Sequence, residues 1–322
     1  MEKFWDIYKL ENHIVDNKKF TKAFGNAKIR SCRFCKRKPP TVTFRKTAHL
    51  IPQFMGNKRL TTYFECDICN NNFSKFETSL ASYVGCISTF LGIPGQKGIP
   101  KVKKKVIAFE GEGYTISAER ISEESVTISF NGKVSQDSVV IGNDGVSIKI
   151  AKSSYVPREA FQALLHSGIS MIHGRDLDKF EIIREFLLDE KKLSEFESHP
   201  LILLQSILSI SEFKSFPTVI IFSRKSNHEG YFSKAIVISF YSILYQFFIP
   251  SDEDLISQKL GVSYSYPPFY INDPNYSGPL NLLDFSTVDL SSSTKVINEE
   301  EIIGFPGLRM IKEGNNYKSV EV

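Results

Sequence analysis

Two Cys-x-x-Cys pairs, Cys32/Cys35 and Cys66/Cys69, constrain this chain more than any other feature. Such a turn sets two thiolates on one side of a tight knuckle, and two facing knuckles supply the four soft ligands of a closed tetrahedral zinc site. Thirty residues separate Cys35 from Cys66, more than a plain zinc ribbon requires, so something is built inside the loop that the metal closes. The bland alternative is a set of buried, unliganded thiols, which are common singly but not as two matched pairs. Cys86 stands outside the pattern. With four of five cysteines in knuckles, a reducing cytoplasm fits better than a disulfide framework.

Inside the loop, Thr47-Ala48-His49-Leu50-Ile51-Pro52 is followed by Gly56-Asn57, and the last knuckle cysteine is followed directly by Asn70. In this order and spacing, residues 28–80 resemble the HNH nuclease family in its zinc-stapled form. The resemblance implies a ββα-metal finger, two strands and a helix closed around a catalytic cation. Phosphodiester hydrolysis needs a base to deprotonate water and a divalent cation to steady the leaving oxygen and the added negative charge. By resemblance His49 is the general base, at the end of the first strand, and an imidazole titrating near neutrality suits that task. Asn70 opens the helix after the knuckle and offers a hard oxygen to magnesium or manganese. Ser74 and Glu77 follow at i+4 and i+7, so the three share one helical face, and Glu77 can add a carboxylate directly or through water. Thr61 falls where relatives often carry an asparagine that orients the base, and its hydroxyl could substitute. The departure is Ala48, where many relatives have an acidic residue or histidine that holds the cation. Either Glu77 or another polar group compensates, or the cation is held weakly, or catalysis has been lost.

The formal charge of +4 hides an asymmetry: residues 1–105 carry 21 Lys and Arg against 7 Asp and Glu, and residues 106–322 carry 19 against 29. A basic module around such a motif suits a polyanion, with double-stranded DNA the expected partner. Arg30, Arg33, Lys36, Arg37 and Lys38 cluster around the first knuckle, Arg45 and Lys46 precede His49, and Lys58 and Arg59 lie between it and the second knuckle. A solvated basic face is the bland reading of such runs. Because these charges flank the expected cation site, phosphate contact is favoured, with nothing that suggests base-specific reading.

With 322 residues, 42% hydrophobic and 24% charged, the chain has the composition of an ordinary soluble globular protein, of a length for two domains or three small ones. The expected division is a nuclease domain with its lead-in at 1–100 and a larger α+β domain at 101–322, of no recognised family, that senses a ligand or holds a partner. KVKKK at 101–105 marks the boundary, as a solvated hinge or one more phosphate contact. From Val106, short alternating runs separated by turns such as Asn131-Gly132 and Asp144-Gly145 predict an antiparallel meander of about five strands. Pro157 opens a helix, with more helix near Phe180–Leu188 and Leu201–Ile210. Pro217–Phe222 and Ala235–Phe240 read as buried strands, and past Pro250 no element is assigned. Residues 1–27 are expected to pack on the finger.

The overall class is therefore α+β: an N-terminal ββα-metal finger with structural zinc, then a larger domain with a meander and helices. His166, His173, His199 and His228 lack metal-ligand spacing and read as structural or surface residues. No Gly-rich phosphate loop and no Ser/His/Asp arrangement is present. Met1–Leu10 does not read as a signal peptide, and Ala235–Ile249 is too short to span a bilayer, so no membrane partner is expected. The expected function is a metal-dependent endonuclease acting on DNA, gated by its C-terminal domain through a ligand, a protein partner or self-association. Bacterial nuclease effectors in anti-phage defence, often built this way, supply a context. The alternative is a zinc-stapled DNA-binding or scaffolding protein whose finger has lost its cation.

Overall fold

The computed structural model describes residues 3–16, 22–28, 30–93, 98–107, 113–120, 126–132, 139–142, 145–189, 199–207, 217–270, 285–306, 309–313 and 316–320. The chain opens with α1 (Phe4–Ile7), β1 (Tyr8–Val15), β2 (Lys22–Phe24), β3 (Ala48–His49), β4 (Leu60–Thr62), α2 (Asp67–Val84) and α3 (Ile87–Phe90). It continues through β5 (Val102–Ile107), β6 (Gly113–Arg120), β7 (Val126–Gly132), β8 (Val139–Gly142), β9 (Gly145–Ala151), α4 (Pro157–Met171) and α5 (Glu181–Leu188). The last part holds β10 (Ile202–Ile207), β11 (Thr218–Arg224), β12 (Lys234–Phe240), β13 (Ile243–Ile249), α6 (Asp252–Lys259), β14 (Ser286–Asp289), β15 (Glu300–Pro306), β16 (Arg309–Glu313) and β17 (Asn316–Val320). Helices mix with mainly antiparallel strands, an α+β protein. Among the described residues, no helix is long and apolar enough to cross a membrane.

Two compact units form, and both are discontinuous: Met1–Leu80 with Val156–Thr294, and Ala81–Tyr155 with Lys295–Val322. The packing thus follows a different division from the one expected at residue 100. In the first unit, six antiparallel strands run in the order β1-β11-β12-β13-β10-β14. β12 and β13 lie in the middle and read as nearly continuous apolar runs because both of their faces are covered. The lead-in does not simply pack on the finger. β1 pairs with β11, and Phe4, Ile7 and Tyr8 enter the core beside Phe222, Phe248 and Phe269.

The helix expected at Leu201–Ile210 is instead β10, held between β13 and β14. A short apolar run of this kind fits either element, and the open ladder edge of β13 decides for the strand. α4 starts at Pro157 as its sequence predicts, and it approaches β13 closely at Gly168, where a Cβ would land against Ile249.

In the second unit, the expected five-strand meander resolves into two three-stranded sheets, β5-β6-β7 and β15-β9-β8. β15 comes from the far C-terminal part and pairs with β9 along seven residues. Turn residue Asp144 lies outside the described residues, whereas Asn131 and Gly132 fall within β7, still paired to β6. The lysine run at 101–105 leads into β5 and pairs with β6, and Lys101 forms an ion pair with Glu119 at 2.5 Å.

Candidate active site

The four knuckle sulfurs converge: those of Cys32, Cys35, Cys66 and Cys69 lie within 4.8 Å of one another, with Cys35 and Cys66 3.7 Å apart. Tetrahedral zinc with bonds of about 2.3 Å places its sulfurs about 3.8 Å apart, so the donor set fits that ion. Backbone bonds shape each turn, with the Lys36 N–H donating to the Cys32 carbonyl and the Asn70 N–H to that of Cys66. A hydrogen bond from Cys69 holds the Cys32 thiol far below its ordinary value, at about 4, while burial pushes Cys66 up to about 11. Such a cluster cannot carry four thiolates without a cation among them.

The staple is welded to the unit around it. Phe34 and Phe73 pack on the His166 ring, and the Glu65 carboxylate lies 3.0 Å from His166 Nε2 with both side chains buried. Burial pulls His166 down, but Glu65, with help from Glu77 and Cys32, offsets it and leaves the ring above its ordinary value. His166 is a structural residue, as its spacing suggested. Arg184 donates to the Phe34 carbonyl at 3.1 Å.

The loop between the cysteine pairs forms the expected two strands, and the helix α2 starts within the second pair. β3 and β4 pair antiparallel with Ala48 opposite Thr62 and His49 opposite Thr61, and β2 adds a parallel third strand. Successive strand residues point to opposite faces. Ala48 is 1% exposed and faces the interior, while His49 on the other face is half-buried. Asn57 locks the connection between the strands, donating to the Ile51 and Leu60 carbonyls at 2.7 and 3.0 Å and accepting from the Leu60 N–H at 2.9 Å.

The Gln53 side-chain amide nitrogen lies 2.9 Å from His49 Nε2. An amide nitrogen can only donate, so Nε2 is the accepting nitrogen and the ring hydrogen sits on Nδ1. Nδ1 is buried without a hydrogen-bond partner. Burial lowers the His49 pKa below its ordinary value, and the charge of Asp16 works against that.

The other expected site residues fall into three groups. Asn70 lies in the first turn of α2, partly exposed, and among the described residues its side chain has no hydrogen-bond partner. Glu77, a little under two turns on, is raised by burial, with His166 pulling its carboxyl down and Glu65 pushing it up, so its electrostatic company is the buried pair behind the staple. Three of the basic residues are engaged in structure. Arg33 Nη1 donates to the carbonyls of Ile169, Ser170 and Ile172 at the end of α4, Arg30 donates to the Ala27 and Phe44 carbonyls, and Arg59 lies 3.6 Å from Asp16. Lys36, Arg37, Lys38, Arg45, Lys46 and Lys58 are exposed, with Lys36 paired to Glu181 and Lys46 to Asn71.

Sequence reasoning missed Asp16, Gln53 and the locking role of Asn57. Gly56-Asn57 is a legible turn signal, since Gly56 has φ +88°. Nothing near Asp16 in the sequence marks it, because its partners are 42 or more residues away.

Residues 32–81 match the family model described as HNH endonuclease. No curated protein and no solved structure matches the chain. The matched segment carries the staple, both strands and most of α2, so the chain contains a nuclease-type domain within a much longer sequence.

Proposed function

We propose that this protein is a metal-dependent endonuclease that hydrolyses phosphodiester bonds in DNA, with His49 as its general base. The observation that supports this best is the setting of His49: a half-buried imidazole on the strand between the cysteine pairs, its Nε2 2.9 Å from the Gln53 amide nitrogen and its pKa lowered by burial. In the reaction, the Nε2 lone pair takes a proton from water as the water oxygen bonds to phosphorus. The phosphorus–oxygen bond on the opposite side breaks, and its electron pair leaves on the departing oxygen. The Gln53 amide must swing off Nε2 for this to happen. Thr61, directly opposite His49, helps hold the ring's strand.

Asn70 would hold a magnesium or manganese ion, with Glu77 as the second oxygen donor. Such an ion, when bound, stabilises the charge that accumulates on the phosphate. The exposed set Lys36, Arg37, Lys38, Arg45, Lys46 and Lys58 would contact phosphates. The remainder of the chain would gate the nuclease through a ligand, a partner or self-association, since ungated cleavage would damage the host, and a defence role is the setting in which we place it.

Plasmid cleavage tests the reading. Wild-type protein is expected to cut supercoiled DNA with magnesium or manganese and to stop with EDTA. His49→Ala should abolish cutting while zinc content and folding stay intact; equal cleavage by that variant removes the catalytic claim. A second reading rests on Ala48, whose inward-facing methyl offers no ligand. A finger without its cation would show salt-dependent DNA binding with no nicking under any metal.

A further inference from the structure

We propose that Asp16, which lies outside the segment that matches the nuclease family, is the positioning residue for His49. This rests on the reading of His49 as the base.

Asp16 directly follows β1 and is 1% exposed. Its N–H donates to the Pro217 carbonyl at 2.9 Å, which fixes its backbone to the residue just before β11. Its Oδ2 accepts from the Lys58 N–H at 2.8 Å, and its Oδ1 lies 3.6 Å from the Arg59 guanidinium. One carboxylate therefore clamps the β3–β4 connection two to three residues before Thr61, the residue paired with His49. Oδ1 nevertheless lacks a hydrogen-bond partner although it is buried.

The ring has the complementary gap. With Nε2 accepting from Gln53, the hydrogen sits on Nδ1, which is also buried and unpartnered. A buried donor on β3 and a buried acceptor just past β1, both left open, are each costly, and they satisfy each other if brought together. Asp16 is the carboxylate whose charge reaches the His49 ring. Gln53, which contacts the ring, is neutral, and the Arg59 guanidinium lies 3.6 Å from Asp16 itself. A carboxylate on the Nδ1 side holds the tautomer that leaves Nε2 free to act as base and stabilises the imidazolium once the proton has been taken.

The consequence is reciprocal control: the first unit's six-stranded sheet, through β1 and Asp16, sets the basicity of a residue in the finger. The test uses full-length, zinc-loaded protein and nuclear magnetic resonance titration of His49, which needs no nuclease activity. Asp16→Asn keeps an acceptor for Lys58 but removes the charge, and should move the His49 midpoint to lower pH by about one unit. Arg59→Gln removes the opposing charge and should move it upward. If Asp16→Asn unfolds, the Arg59 variant carries the test alone. The acid limb of the cleavage rate should shift in the same directions. A His49 midpoint unmoved in a folded variant overturns the proposal. A midpoint that moves in a protein that never cuts DNA upholds the Asp16–His49 pair and removes only the nuclease reading.

Discussion

Arg33 shows how a basic residue beside a nuclease motif can be structural. Its guanidinium donates at 2.7–3.0 Å to three carbonyls at the end of α4 and stacks 3.8 Å over Phe64, and burial with the nearby Arg184 charge lowers it to about 10. A cation there answers the helix's negative end and its unpaired carbonyls. Arg33→Ala is therefore expected to cost about 2 kcal/mol of stability in a denaturant titration while leaving the salt dependence of DNA binding unchanged. Lys38→Gln and Arg45→Gln, both exposed, should do the reverse, each lowering the slope of log affinity against log salt by about 0.9 at little cost in stability. The sequence cluster 30–38 could not separate these roles, because α4 lies more than a hundred residues further along the chain.

His199 gives a second residue-level expectation. It is buried edge-on to Phe232, its Nδ1–H donates to Gln258 Oε1 at 2.8 Å, and burial lowers its pKa from the ordinary 6.5. The folded state therefore prefers the neutral ring. Its contribution to stability is complete above pH 6.5 and is lost as pH falls from there through the folded-state value. Denaturant midpoints measured from pH 7.5 to 5 should fall less steeply in His199→Gln than in the wild type.

At the scale of elements, legibility followed local signals. The cysteine pairs, the two strands between them and the helix that follows, α4 and the β11–β12 pair are all written in short-range patterns of ligand spacing, Pro at a helix start and apolar runs. β10 was not, because Leu201–Ile210 has no clean period and its state is set by β13 and β14. α6 was missed although its signal is local: Ser251 and Asp254 form a capping box, with Asp252 and Glu253 adding acid to the first turn. At the candidate site the four cysteines that converge were readable, while the place of Asp16 beside Lys58 and Arg59 was not, since it arises only through the fold.

The staple is the element whose removal should be most visible. Structural zinc in small fingers is worth about 10–16 kcal/mol of apparent binding energy at neutral pH. A strong chelator, or Cys69→Ser, should lower the thermal midpoint and release the amide of Asn70 to rapid hydrogen exchange, because its bond to the Cys66 carbonyl depends on the knuckle. Retained protection at Asn70 after the metal is stripped would show that packing alone holds the turn.

At the scale of the whole molecule, the nuclease-like segment and the lead-in before it share their packing with the rest of the first unit. β1 pairs with β11 over seven register positions, Phe34 and Phe73 need the His166 ring, and Glu65 is buried against a histidine 101 residues away. A fragment of residues 1–100 would keep the cysteines and His49 but lose the partner strand of β1, the α4 carbonyls of Arg33 and the counter-group of Glu65. Its exposed apolar surface would include Phe4, Tyr8, Phe34 and Phe73, all buried in the full chain. Such a fragment is expected to bind zinc at the knuckles yet show no cooperative thermal transition and no DNA cleavage. Adding residues 156–294 in trans should restore a transition if the first unit is the folding unit. A fragment that melts cooperatively alone would show instead that the finger folds independently and that its contacts with α4 and β11 serve regulation rather than stability.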